Sequence, residues 1–187
     1  MHKATLISIA FVLCLVSCNN SHDKTVTGTK VNDSAAAITS IPKQGSDTSS
    51  AKSIVAGYLQ IKNALANDDG PGAADGGQAL ADAISHMDTA SLNDKEKKAF
   101  TDVADDIKEN AEHCRIHGKK IEHQREHFEM ITEDMYSLVK SLPLTQPLYY
   151  DYCPMKKYNW LSESKEIRNP YFGKKMPDCG SVKEVIK

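Results

Sequence analysis

The chain has little net charge. Its 187 residues include 23 Lys and Arg against 25 Asp and Glu, which leaves −2 at neutral pH. It has no basic arm and no stretch in which basic and aromatic residues interleave, so nucleic acid is not expected as a partner. Long hydrophobic runs are also missing. The one apolar stretch, Leu6 to Val16, is well short of the roughly 20 residues needed to span a bilayer as a helix. The usual catalytic signatures are absent too: there is no Gly-x-Ser-x-Gly, no His-Glu-x-x-His and no Cys-x-x-Cys pair. Acidic pairs look no different from a solvated helix face, and Cys153 has no evident base beside it. The expected protein is therefore not an enzyme.

Cysteine is scarce, with five in all, and their positions depend on how the N-terminus is read. Lys3 precedes the apolar run, which ends in Ser17-Cys18, so residues 1–17 read as a signal peptide. The sequence Leu15-Val16-Ser17-Cys18 resembles the bacterial lipoprotein cleavage box, which makes Cys18 the lipidated first residue of the mature protein. The expected location is the cell envelope, with a lipid anchor holding the chain to the membrane and the domain facing the periplasm. Cleavage removes Cys14 and lipid blocks Cys18, leaving Cys114, Cys153 and Cys179. That number is odd, so at most one intrachain bridge can form. An exported compartment permits such a bridge without requiring it.

Residues 18–50 are rich in Ser, Thr, Asp, Asn and Lys and read as the lipidated cysteine followed by a flexible tether. Helical periodicity begins at Ala51, and residues 51–187 suit one domain. Ile54, Val55, Tyr58, Leu59, Ile61, Ala64 and Leu65 share one helical face, which ends at Asp68-Asp69-Gly70-Pro71. An Ala-rich stretch from about Ala73 to Met87 follows. Gly76 and Gly77 weaken it unless they allow close helix packing. A third helix is expected from Ser91 to near Gly118. A fourth, from about Lys119 to Ser141, carries the stripe Ile121, Phe128, Ile131, Met135, Leu138 and Leu142. The expected fold is all-α: an up-down four-helix bundle with an irregular, aromatic-rich C-terminal segment packed against it.

That C-terminal segment concentrates soft side chains. Cys153-Pro154-Met155 and Met176-Pro177-Asp178-Cys179 supply two thiols and two thioethers, a set suited to Cu(I) or Ag(I). Neither spacing is that of a zinc knuckle. The same two cysteines can instead form a disulfide, with the methionines as packing, and the residues alone leave both readings open. Of the seven histidines, four lie close together: His113, His117, His123 and His127. They form two i,i+4 pairs on either side of the Gly118 turn, so each pair shares a helix face. Imidazoles grouped in this way can hold copper or zinc; the alternative is a solvated surface.

The run Lys120-Ile121-Glu122-His123-Gln124-Arg125-Glu126-His127-Phe128, the element Tyr152-Cys153-Pro154-Met155, Trp160-Leu161-Ser162, the stretch Asn169-Pro170-Tyr171-Phe172-Gly173 and Met176 to Gly180 together resemble the domain of unknown function 3347 family of exported Bacteroidetes lipoproteins. The resemblance covers about residues 51–187. Similar domains accompany membrane-fusion components of copper/silver efflux pumps, which implies a heavy-metal context and an efflux component as a possible partner. By this likeness Cys153 and Met155 form the first soft element and Met176 and Cys179 the second. His127, His123 and His113 fall at helical positions where related chains carry histidine. Cys114 departs from the family pattern beside His113.

The expected function is that of a periplasm-facing lipoprotein binding Cu(I) or Ag(I) through Cys153, Met155, Met176 and Cys179, helped by His127, His123 and His113, with zinc possible at the histidines. The competing expectation is an interaction module stapled by a Cys153–Cys179 disulfide that docks an envelope partner. In either case Arg125 is expected to pin the tail rather than meet a metal.

Overall fold

In the computed structural model, which describes residues 47–187, four helices precede a small antiparallel sheet. The signal peptide, Cys18 and nearly all of the tether lie outside the described residues. Helix α1 spans Asp47–Ala66 and so begins ahead of the expected domain start. It buries Ala51, Ile54, Tyr58, Ile61 and Leu65, as the periodicity predicts. A left-handed Asp68 (φ 56°) breaks it. The next residue, Asp69, caps α2 (Gly70–Ser85) by accepting the Gly72 N–H at 2.9 Å, and Pro71 occupies the first turn, where its missing N–H costs nothing.

Helix α3 spans Asp94–Ile116 and opens on a reciprocal capping box between Asn93 and Glu96 rather than on Ser91. Helix α4 (Ile121–Val139) buries Phe128, Ile131, Met135 and Leu138. Each helix packs on the next, and α1 also meets α4. The glycines of α2 serve close approach. A Cβ at Gly76 would come within 2.7 Å of the Ile61 nitrogen on α1, and one at Gly77 within 2.5 Å of the Ala111 carbonyl on α3. Their helix-weakening effect is offset by backbones that pack almost in contact.

The fold is not all-α. The C-terminal segment forms strands β1 (Leu148–Cys153), β2 (Tyr158–Ser162) and β3 (Ser181–Ile186), in the order β2-β1-β3. Both pairings are antiparallel. Asp151 lies opposite Trp160, and Leu148 opposite Ile186, with a bulge between Tyr150 and Asp151. The expectation of an irregular tail fails because each strand is only five or six residues long, too short for a period-2 signal. β3 is an edge strand whose Lys183 and Glu184 make it read as a solvated coil. The aromatic run Leu148–Tyr152 is the one stretch whose β-propensity shows at the sequence level.

Polar side chains fix the sheet to the helices. The Tyr58 hydroxyl lies 2.8 Å from the Thr132 hydroxyl on α4 and accepts the Leu161 N–H of β2 at 2.9 Å, joining α1, α4 and β2 at one oxygen. Burial drives the Tyr58 phenol well above its ordinary pKa, so it stays neutral in this role. Toward the β3 edge of the sheet Tyr136 of α4 stacks on Tyr150 with ring centroids 4.0 Å apart and donates to Glu184 at 2.6 Å.

Candidate metal centre

The turn after α3 reverses the chain through Gly118. That glycine sits against α2: a Cβ on it would meet the Ala74 Cβ at 3.2 Å. The antiparallel α3–α4 pair then brings both i,i+4 histidine pairs onto facing surfaces. The rings of His113 and His127 stack with centroids 4.3 Å apart, and His123 meets His127 edge-on at 4.5 Å. One ligand nitrogen from each of His113, His123 and His127 falls within a 4.8 Å group. Three residues named from the sequence are thus gathered across 14 positions of chain.

The tautomers follow from the neighbours. The Asn110 side-chain N–H donates to the Asp106 carbonyl at 2.9 Å, which turns its oxygen toward His127 Nδ1 at 2.8 Å. His127 therefore carries its proton on Nδ1 and leaves Nε2 as a bare lone pair. Similarly, His123 Nδ1 donates to Glu126 at 3.0 Å. The two Nε2 atoms face each other at 3.2 Å. Two lone pairs at that distance repel unless one proton or one cation lies between them. Tetrahedral zinc, with Zn–N bonds of about 2.0–2.1 Å, holds neighbouring nitrogens about 3.3–3.4 Å apart. Partners that orient a ligand's other nitrogen are the usual second layer of a metal site. His113 adds a buried Nδ1 with no hydrogen-bond partner, the kind of orphaned atom that a bound ion accounts for.

His127 and His117 resist protonation. Burial first, and then the neighbouring His113, His123 and His117, lower the His127 pKa to about 4. Desolvation and the nearby His123 and Lys120 lower that of His117 as well. A neutral imidazole is the metal-binding form. An open depression of about 470 Å³ lies against this group, lined by Lys120, Ile121, Glu122, His123 and Glu126.

The tail forms a second, separate grouping. Cys153 and Cys179 are free thiols with Sγ atoms 3.7 Å apart. Asn169 holds Cys179 in place: its side-chain N–H donates to the Cys179 carbonyl at 2.6 Å while its oxygen accepts the Tyr171 N–H at 2.8 Å. The Lys156 N–H points at Cys153 Sγ from 3.5 Å, and the Met155 N–H at Cys179 Sγ. Desolvation and the adjacent Cys153 raise the Cys179 thiol above its ordinary pKa, because two thiolates this close repel. A disulfide would need the sulfurs to close to about 2.05 Å, whereas two thiolates on one tetrahedral ion stand about 3.8 Å apart.

The methionines are less engaged. Met155 is 65% exposed, and half-buried Met176 meets Cys179 through its carbonyl, which accepts the Cys179 N–H at 3.4 Å. Neither cysteine belongs to the histidine group. The histidines occupy the face of α4 turned to α3, while the tail contacts α4 through Arg125. That guanidinium is 7% exposed and donates to Pro170 O at 2.8 Å, Leu65 O at 3.1 Å, and Asp68 and Glu122 at 2.6 Å each. It pins the tail to the carbonyls and carboxylates, as expected from the sequence. Cys114 faces the core and donates to the Gln124 carbonyl at 3.5 Å; burial pushes its pKa up to about 12, so it is inert despite adjoining His113.

Two features were not read from the sequence. Asn110 lies one turn before His113 on the same face of α3, a spacing that marks it as a partner for the cluster. Asp151 is fully buried with neither carboxylate oxygen partnered, opposite Trp160, whose indole nitrogen is likewise unpartnered. Burial lifts the Asp151 pKa to about 7, against a smaller opposing effect of Lys62. No local pattern distinguishes it from a surface aspartate.

Among the described residues no helix is long and apolar enough to cross a membrane. No curated protein and no solved structure matches the chain. The family described as protein of unknown function (DUF3347) matches residues 54–146. This stretch includes α1 from Ile54 onward, all of α2, α3 and α4 and the whole histidine cluster, and it stops before β1 and the paired cysteines. Through this stretch the chain belongs to the DUF3347 family.

Proposed function

We propose that this chain is a periplasm-facing lipoprotein, anchored at Cys18, that binds a heavy-metal ion in metal handling or efflux. The histidine cluster is the main site. The observation that carries this reading is the His123–His127 pair: two Nε2 lone pairs 3.2 Å apart, each turned inward by a partner on Nδ1. Imidazole suits copper and zinc alike, so Cu(I), Ag(I) and zinc are the candidate ions. Cys153 and Cys179 form a softer second site for Cu(I) or Ag(I), with Met155 and Met176 within reach by chain proximity. The role is binding and transfer, not catalysis, and an envelope efflux component is the partner class that would receive the ion.

The second reading is an interaction module stapled by a Cys153–Cys179 bridge. It draws on the 3.7 Å sulfur separation, since the two thiols already face each other.

Anaerobic titration with Cu(I) and, separately, zinc against a competing chelator tests the main reading. Binding should weaken strongly in His127→Ala, and the Cu(I) stoichiometry should fall in the double variant Cys153→Ser/Cys179→Ser. If the wild-type chain does not compete with the chelator for either ion, the metal reading fails. Counting thiols on unreduced protein unfolded in denaturant decides the staple: three free thiols support ligands, and Cys114 alone supports the bridge.

A further inference from the structure

We infer that His117 is the fourth ligand of the histidine site and closes it around the bound ion; the inference rests on the metal-binding reading above. His117 is the C-cap of α3, with φ −107° and ψ 29°. Its backbone is held firmly. Its carbonyl accepts the Lys120 N–H at 2.8 Å, and the adjoining Gly118 is packed against Gly70 and Ala74 of α2.

Its ring is placed differently from the other three. The ring meets His123 edge-on with centroids 4.5 Å apart and lies 6.0 Å from His113, so it borders the cluster on the side where α3 ends. Among the described residues no hydrogen bond restrains it, whereas His127 is held by Asn110 and His123 by Glu126. Its nitrogens fall outside the 4.8 Å group formed by the other three histidines. The arrangement is therefore three gathered nitrogens plus a fourth imidazole that borders them on a fixed backbone, its ring packed against His123 and His113 and held by no hydrogen bond among the described residues.

The consequence is a statement about what the site does. Three protein ligands plus solvent is the pattern of catalytic zinc, and four protein ligands is that of a closed, holding site. With His117 recruited, the ion is enclosed by four neutral imidazoles and has no open position for a substrate. Swinging His117 out again reopens the shell at the end of α3, which gives the ion a way out without unfolding the helix pair. The chemistry suits a borderline divalent ion, with zinc as the probe.

The test is zinc loading of the full chain to one equivalent, read by X-ray absorption and by chelator competition, for wild type, His117→Ala, His117→Asn and His127→Ala. Four imidazole nitrogens are expected in wild type. In both His117 variants three nitrogens and one oxygen are expected, with affinity reduced about tenfold or more and an unchanged helical circular dichroism spectrum. If His117→Ala keeps the wild-type nitrogen count and affinity while His127→Ala loses binding, His117 is not a ligand and the three-histidine site stands. If His127→Ala also binds zinc as wild type does, the site itself is misassigned and this inference falls with it.

Discussion

His123 and His127 turn their Nε2 atoms toward each other at 3.2 Å while Glu126 and Asn110 hold the opposite nitrogens. One proton or one cation satisfies that pair, so metal and protons compete for the same lone pairs. Zinc affinity is expected to fall as pH drops toward about 4, where His127 takes up its proton. In the metal-free protein His127, with its pKa lowered to about 4, is neutral over a range where the unfolded chain is protonated. Its contribution to stability is whole above about pH 6.5 and is lost by about pH 4. Urea midpoints across that window, compared with His127→Gln, check this: the variant should show the shallower acid loss.

Asn110 is expected to matter to the metal without touching it. Asn110→Ala removes the acceptor for His127 Nδ1 and frees the ring to take the other tautomer. The expected result is a loss of about 10- to 100-fold in zinc affinity with the thermal midpoint changed little. Equal affinity in wild type and variant, measured by chelator competition, would rule out the orienting role.

Asp151 should act in the opposite pH direction to His127. The unfolded chain ionises this carboxyl near its ordinary value of about 3.9, but the folded chain does so only at about 7. Stability from this group is therefore intact at low pH and is lost as pH rises from about 4 to about 7. Asp151→Asn should be more stable than wild type at pH 8 by about 1–3 kcal/mol, the usual cost of an unpartnered buried group. The two proteins should converge near pH 4. Equilibrium denaturation at the two pH values measures the difference directly.

Arg125 links the tail to the helices, with Pro170 as its acceptor in the tail and Leu65, Asp68 and Glu122 as its acceptors in the helical part. Arg125→Met leaves Asp68 and the Pro170 and Leu65 carbonyls without their donor. A loss of about 1–3 kcal/mol in unfolding free energy is expected, the cost of leaving buried carbonyls without a donor, because Asp68 and Glu122 are exposed and their ion pairs add little. Arg125→Lys should recover little of it, because an ammonium lacks the planar fork that reaches several acceptors at once. Asp68, which Arg125 holds below its ordinary carboxylate pKa, should titrate at higher pH in both variants. Urea denaturation and NMR titration of Asp68 report the two effects separately.

The elements that could be read in advance are those governed by local spacing. The four helices follow from apolar positions three and four apart. The histidine cluster follows from two i,i+4 pairs flanking a glycine turn, since a short connection leaves antiparallel helices few ways to face each other. Even the role of Arg125 as a pin was legible, because a cation between core positions of a helix must find acceptors. The sheet was not. Its three short strands are separated by a turn and a long loop, and β1 and β3 pair across that loop, which Asn169 ties back to Pro177 and Cys179.

By itself, therefore, the sequence determined the helical scaffold, the residues able to bind metal and the odd number of thiols, all properties of side-chain type and near-neighbour spacing. Tertiary structure alone decided which of those residues meet. It gathered the histidines between α3 and α4 and set Cys153 against Cys179 on another part of the fold. It also turned Cys114 into the core and buried Asp151 without a partner. Each of these outcomes depends on contacts between segments distant along the chain, where packing and desolvation act and periodicity carries no information.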